Sequence, residues 1–140
     1  MIALKNARIF IVEDNAGNLT IASIYLENQG AKIKFERRGA NTPQVILKEL
    51  PIDLILTDLM LPKGVSGFDI FDQIRQVPEL KHIPVAAISA ADPDIAMPIA
   101  RSKGFAGFIS KPITPLIIQH VADLLDGKQV WIGDSGMLFQ

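Results

Sequence analysis

The sequence predicts an α/β domain built on a doubly wound, five-stranded parallel sheet. Three observations carry this. Short unbroken apolar runs, Ile9-Phe10-Ile11-Val12, Leu54-Ile55-Leu56 and Val85-Ala86-Ala87-Ile88, suit strands buried on both faces. Segments with helical spacing and helix start and stop residues alternate with the runs. Polar residues able to do chemistry stand where the runs stop: Glu13 and Asp14, then Asp58, then Ser89.

In order, Asn15 caps a helix from Ala16 to about Asn28, in which Leu19, Ala22 and Leu26 share a face and Gly30 lies just past the end. From Ala31 to Arg37, Ile33 and Phe35 alternate with Lys32, Lys34 and Glu36, the pattern of a strand near an edge with one wet face. Arg37 to Ala40 is a loop. Asn41 or Thr42 with Pro43 starts a second helix, which runs through Leu50 and stops at Pro51. The Asp58 strand leads into a loop with Pro62, Gly64 and Gly67. A third helix follows from Phe68 to Val77. Pro84 opens the fourth strand. Pro98 falls inside the segment after it, so the fourth helix is expected to be short, shifted or kinked. Phe105 to Lys111 holds the fifth strand, and Thr114-Pro115 starts a helix to about Asp126, closed by Gly127.

Five strand–helix units with right-handed crossovers place helices on both faces of the sheet. The expected order is 2-1-3-4-5, the flavodoxin-like arrangement. Strands one and three are then neighbours, so Glu13 and Asp14 come beside Asp58.

The bulk properties fit one domain. The chain has 140 residues, 49% hydrophobic and 21% charged, with a net charge of −1 and a pI of about 6.1. No basic footprint suggests nucleic acid. The chain has no cysteine, which excludes disulfides and thiol chemistry. No signal peptide or membrane-length run is visible, so a cytoplasmic location is expected. The expected division is a domain over 1–127 and an apolar tail over 128–140.

Carboxylates converging at one sheet edge repel each other unless a cation lies among them. Glu13, Asp14 and Asp58, with a backbone carbonyl near Met60, form an all-oxygen set suited to Mg²⁺. Lys111, before Pro112, adds an ammonium at the same edge, and Ser89 adds a hydroxyl. Together these residues outline a phosphoryl-transfer site with Asp58 as nucleophile. Taken singly, each has a blander reading: Asp58 as a loop cap, Lys111 as a solvated surface lysine, Ser89 as a strand-end hydroxyl. Their convergence at one rim favours the functional one. His82 and His120 read as surface residues.

Ile11-Val12-Glu13-Asp14-Asn15, Leu56-Thr57-Asp58-Leu59-Met60-Leu61-Pro62 with Gly64 and Gly67, Ile88-Ser89-Ala90 and Phe108-Ile109-Ser110-Lys111-Pro112 resemble the receiver domain of two-component response regulators (CheY-like) over about residues 6 to 126. The resemblance implies that Asp58 accepts phosphate from a histidine kinase or histidine phosphotransfer protein. It implies that Glu13 and Asp14 help hold Mg²⁺, Glu13 directly or through water, and that Lys111 contacts the phosphate. It also implies that Ser89 and Phe108 move together as a switch, changing the face of helix 4, strand 5 and helix 5 that a downstream protein reads. Phe108 lacks the hydroxyl of a tyrosine, so it has no hydrogen bond to offer at either end of such a movement.

The expected role is a stand-alone response regulator, a signalling domain rather than an enzyme, acting by protein contact. The tail is too short for a helix-turn-helix module. Two rivals are a binding module that signals without phosphate and an aspartate-nucleophile hydrolase of the haloacid-dehalogenase type. The second wants an acid two places after the nucleophile, where Met60 stands. The apolar tail, with Trp131 and Phe139, is expected either to fold back on the domain or to make a dimer or partner contact. A homodimer through the helix 4–5 face is a further expectation.

Overall fold

The computed structural model describes residues 2–133 and 137–138. Among the described residues, seven strands form one sheet in the order β2-β1-β3-β4-β5-β6-β7. They are β1 (Arg8–Val12), β2 (Lys32–Glu36), β3 (Leu54–Thr57), β4 (Val85–Ser89), β5 (Gly107–Ser110), β6 (Val130–Gly133) and β7 (Met137–Leu138). The first six are parallel; β7 returns antiparallel on β6. The expected order 2-1-3-4-5 is therefore the body of the sheet, and the chain adds strands beyond β5.

The helices are α1 (Ala16–Glu27), α2 (Thr42–Glu49), α3 (Gly67–Arg75), α4 (Pro93–Lys103) and α5 (Ile117–Leu125). Period-two alternation along the strands splits the core into two layers. Phe10, Val12, Ile55 and Phe108 face a cluster with Ile46 of α2, Ile70 and Ile74 of α3 and Met97 and Ala100 of α4. Ile9, Ile11, Leu54 and Leu56 face Leu19 and Leu26 of α1 and Val121 and Leu124 of α5. Burying such a side chain contributes about 1.5–3 kcal/mol, so each layer holds its helices without help from disulfides.

Local signals explain the boundaries. The Asn15 side chain accepts from the Asn18 amide at 2.9 Å and starts α1. The Ser66 hydroxyl accepts from the Phe68 amide and starts α3. α5 begins at Ile117, later than expected, because residues 114–116 form a turn in which the Thr114 hydroxyl accepts from the Leu116 amide.

Two expectations need correction. α4 is neither short nor shifted: it starts at Pro93 behind the Asp92 cap and runs eleven residues through Pro98. Proline removes one donor, to the carbonyl of residue 94. Asp94 and Pro98 are both exposed, so water can satisfy that carbonyl. Phe35 does not share a buried face with Ile33; it is 53% exposed, while Ile33 packs against the α1/α5 layer. Of the two readings of the tail, Trp131 follows the one that folds back on the domain rather than the one that makes it an exposed anchor. It lies on β6 and is buried in the α2–α4 layer. Phe139 lies outside the described residues.

Candidate functional site

The carboxyl ends of β1, β3, β4 and β5 meet at one rim. The backbone ties them in register. The Asp58 amide donates to the Val12 carbonyl at 2.9 Å, which brings the end of β3 against Glu13. The Lys111 amide donates to the Ser89 carbonyl at 2.9 Å, which joins the ends of β4 and β5. Residues 45 and 53 positions apart thus share one site because parallel pairing puts every strand end on the same side.

The side chains complete it. Lys111 Nζ lies 2.7 Å from Asp58 Oδ2 and 2.7 Å from Glu13 Oε1. All three groups are nearly buried, with side-chain exposures of 12% for Lys111, 6% for Asp58 and 4% for Glu13. The second oxygens are used as well: Asp58 Oδ1 accepts from the Met60 amide at 3.2 Å, and Glu13 Oε2 from the Asn15 amide at 3.2 Å. Asp14 is half-buried beside them. Its backbone carbonyl accepts from Arg37 Nη2. Reading Arg37 simply as loop missed this contact; the only signal in sequence was a pair of arginines at the end of a strand bound for the same rim.

Burial raises the Glu13 carboxyl above its ordinary value, although hydrogen bonds from Lys111 and the Asn15 amide pull the other way. Burial alone would lower Lys111, but its hydrogen bonds to Asp58 and Glu13 and their charges outweigh that and hold the ammonium above its usual range. Lys111 is thus a fixed positive charge between two carboxylates.

One ligand oxygen each from Glu13, Asp14 and Asp58 can be chosen within 4.8 Å of one another. Three hard oxygen donors that close, at the carboxyl ends of β1 and β3, fit a divalent cation of the Mg²⁺ type. The Met60 carbonyl belongs to the loop that leaves this site. That loop is pinned by a bridge between Met60 and Ser66 and by the Gly67 amide, which donates to the Leu59 carbonyl at 3.0 Å.

Ser89 is fully buried at the end of β4, and its hydroxyl accepts from the Ala91 amide at 3.1 Å. Phe108 is fully buried on β5. Met60 is 55% exposed and opens a shallow apolar groove of about 280 Å³ with Phe68, Ala91, Ile95 and Ile99. A cavity of about 810 Å³ lies at the opposite end of the sheet among residues such as Ala7, Pro84 and Ala106, and contains none of the expected site residues. His120 is not a free surface residue: it is part-buried and its Nδ1 has no hydrogen-bond partner.

Among the described residues, no helix is long and apolar enough to cross a membrane. The family profile described as response regulator receiver domain matches residues 9–123. Chemotaxis protein CheY-3 of Vibrio cholerae is 32% identical over 119 residues, covering 85% of this chain and 91% of that protein. The polar-differentiation response regulator DivK of Brucella anthropi is 33% identical over 118 residues, covering 84% and 94%. A probable cyclic di-GMP phosphodiesterase of Vibrio cholerae is 31% identical over 127 residues, where this chain spans 90% of itself but only 28% of that protein. Among solved structures, the BeF3-activated N-terminal receiver domain of Klebsiella pneumoniae RstA superposes with a TM-score of 0.72 at 27% identity, covering 84% of this chain and 96% of that one. Vibrio cholerae CheY4 has the same fold, with a TM-score of 0.73 at 18% identity and coverage of 85% and 98%. The four strand-end motifs, the sheet order and these matches agree, and the chain belongs to the response regulator receiver domain family.

Proposed function

We propose that Asp58 is a phosphoacceptor, taking a phosphoryl group from a phosphohistidine on a histidine kinase or histidine phosphotransfer protein. The observation that carries this is the Lys111 ammonium held at 2.7 Å from both Asp58 and Glu13 on the carboxyl edge of the sheet. A carboxylate oxygen of Asp58 attacks phosphorus. The phosphorus–nitrogen bond breaks and its electron pair returns to the donor imidazole. The product is an acyl phosphate on Asp58. Water later hydrolyses it to inorganic phosphate and the free carboxylate, so the domain turns over phosphate without being a dedicated enzyme.

Lys111 loses part of its salt bridge as Asp58 becomes an ester-like acyl group, and its ammonium is then available to a phosphoryl oxygen. Ser89 offers a hydroxyl to another. Glu13, Asp14, Asp58 and the Met60 carbonyl would hold Mg²⁺, which supplies charge neutralisation for the phosphoryl oxygens. Asn15 and Lys111 orient Glu13.

The signal passes to a downstream protein by contact, in the cytoplasm, as part of a two-component pathway. The receiving face is built from α4 and α5, with β6 covering the edge of β5. Ile95 and Ile99 of α4, which line the groove with Met60 and Phe68, and Leu116 before α5 are exposed apolar groups beside it. Homodimerisation would use the same α4–α5 face. Residues 1–127 carry the acceptor chemistry, and the stretch from 128 on modifies the face through β6. The test is incubation with Mg²⁺ and acetyl phosphate followed by intact mass. One phosphoryl group should add to the wild type and none to Asp58→Asn. Equal addition to both, or none to the wild type, refutes the reading.

A further inference from the structure

We infer that Trp131 and Arg101 are positioning residues for the phosphoryl-accepting site, acting through Phe108. This rests on the reading of Asp58 as phosphoacceptor. β5 carries Phe108 in its body and Lys111 immediately past its end, so whatever fixes β5 fixes Lys111. In a sheet ending at β5, that strand would be an edge, free on one side. Here β6 pairs along it, with Gly107 opposite Val130, Phe108 opposite Trp131 and Ile109 opposite Ile132. The approach is close enough to require glycine: a Cβ at residue 107 would fall 2.3 Å from the Val130 carbonyl oxygen.

Phe108 and Trp131 occupy matched positions on neighbouring parallel strands. They therefore project to the same face, and both belong to the α2–α4 layer. Phe108 is fully buried, and Trp131 is 6% exposed. Trp131 lies beside Phe108 on the side where β5 would otherwise be an open edge. The tryptophan is itself held. The Arg101 guanidinium of α4 lies 4.4 Å above its ring, and its indole N–H donates to the Gln129 side-chain oxygen at 3.0 Å.

The clamp thus runs from α4 through Arg101 and Trp131 to Phe108, and along β5 to Lys111. Phe108 is held inward in the arrangement that has Lys111 already bridging Asp58 and Glu13. Loosening the clamp lets Phe108 sample the outward position and lowers the fraction of molecules with an assembled site. Phosphorylation then slows by that fraction.

The experiment is a time course of phosphorylation by acetyl phosphate with Mg²⁺, read by intact mass, on variants shown to be folded by circular dichroism. Arg101→Gln should slow the reaction about two- to fivefold, the weight of an exposed cation–π contact. Trp131→Ala should slow it more. Trp131→Phe, which keeps an aromatic face under Arg101, should stay near wild type. In a Phe108→Leu background, Arg101→Gln should add nothing, because the group being positioned is gone. A purely structural clamp would alter thermal stability while leaving the rate of the folded protein unchanged. Wild-type rates in both Arg101→Gln and Trp131→Ala would overturn the inference while leaving the role of Asp58 intact. Equal slowing by Arg101→Gln with and without Phe108 would overturn it too. Absence of any phosphate on the wild type would instead remove the underlying reading.

Discussion

Gly67 opens α3 directly against the backbone of Asp58: a Cβ at residue 67 would fall 2.2 Å from the Asp58 carbonyl oxygen and 2.9 Å from the Leu59 Cα. Both obstacles are backbone, so neither can rotate away. Gly67→Ala is expected to push α3 or the Asp58 loop outward and to destabilise the domain by about 1–3 kcal/mol, the usual cost of overpacking. Urea unfolding measures the loss. Phosphorylation by acetyl phosphate should fall as well, since the displaced loop carries Met60, whose amide holds Asp58 Oδ1.

Lys111→Met removes the one cation between two nearly buried carboxylates. The expectation is a loss of about 1–3 kcal/mol in stability without metal, from unpaired buried charge at a rim that water can still reach. Added Mg²⁺ should restore part of it by taking over the neutralisation. Chemical denaturation with and without Mg²⁺ checks both. Unchanged stability in the absence of metal would show that Lys111 does not hold the pair together.

Metal binding should itself be visible as stabilisation. Mg²⁺ at about 100 times its dissociation constant adds roughly 2.7 kcal/mol to the folded state, read as a rise in melting temperature. Asp14→Asn should abolish most of this rise, because it removes one of the three clustered carboxylates. An equal rise in the variant would place the ion elsewhere.

His120 gives a pH dependence with a definite sign. Burial lowers its pKa below the ordinary value of 6.5, although the Asp123 carboxylate opposes this. Above 6.5 the imidazole is neutral in both states and costs nothing. As pH falls through 6.5 the unfolded chain takes up the proton first, so stability falls. His120→Gln should flatten the stability profile between pH 7.5 and about 5.5, as measured by urea unfolding. An unchanged slope would mean that other groups set it.

Much of the fold could be read from particular residues. Ile9 to Val12 and Leu54 to Leu56 are unbroken apolar runs because both faces of β1 and β3 are covered. The placement of Glu13 beside Asp58 follows from the strand order alone. What sequence did not show has physical reasons. β6 contains only three apolar residues, Val130, Trp131 and Ile132, too few to tell a strand from a sticky tail. Its presence depends on the β5 edge that receives it. Pro98 marks a broken hydrogen bond, and whether a helix survives it depends on whether the freed carbonyl faces water. Phe35 alternates correctly, but alternation cannot say how far the covering helix reaches. The close contact of Gly67 with Asp58 is a distance, and no spacing in the chain announces it.

The proposed role of Asp58 requires that it, and no neighbouring carboxylate, carries the phosphoryl group. Borohydride reduction of the phosphorylated protein converts an acyl phosphate to an alcohol at the residue that bore it, and peptide mass mapping locates the change. The expected result is reduction at residue 58 alone, dependent on Mg²⁺. Reduction at Glu13 or Asp14, or no reduction in protein that has gained a phosphoryl group, would contradict the account.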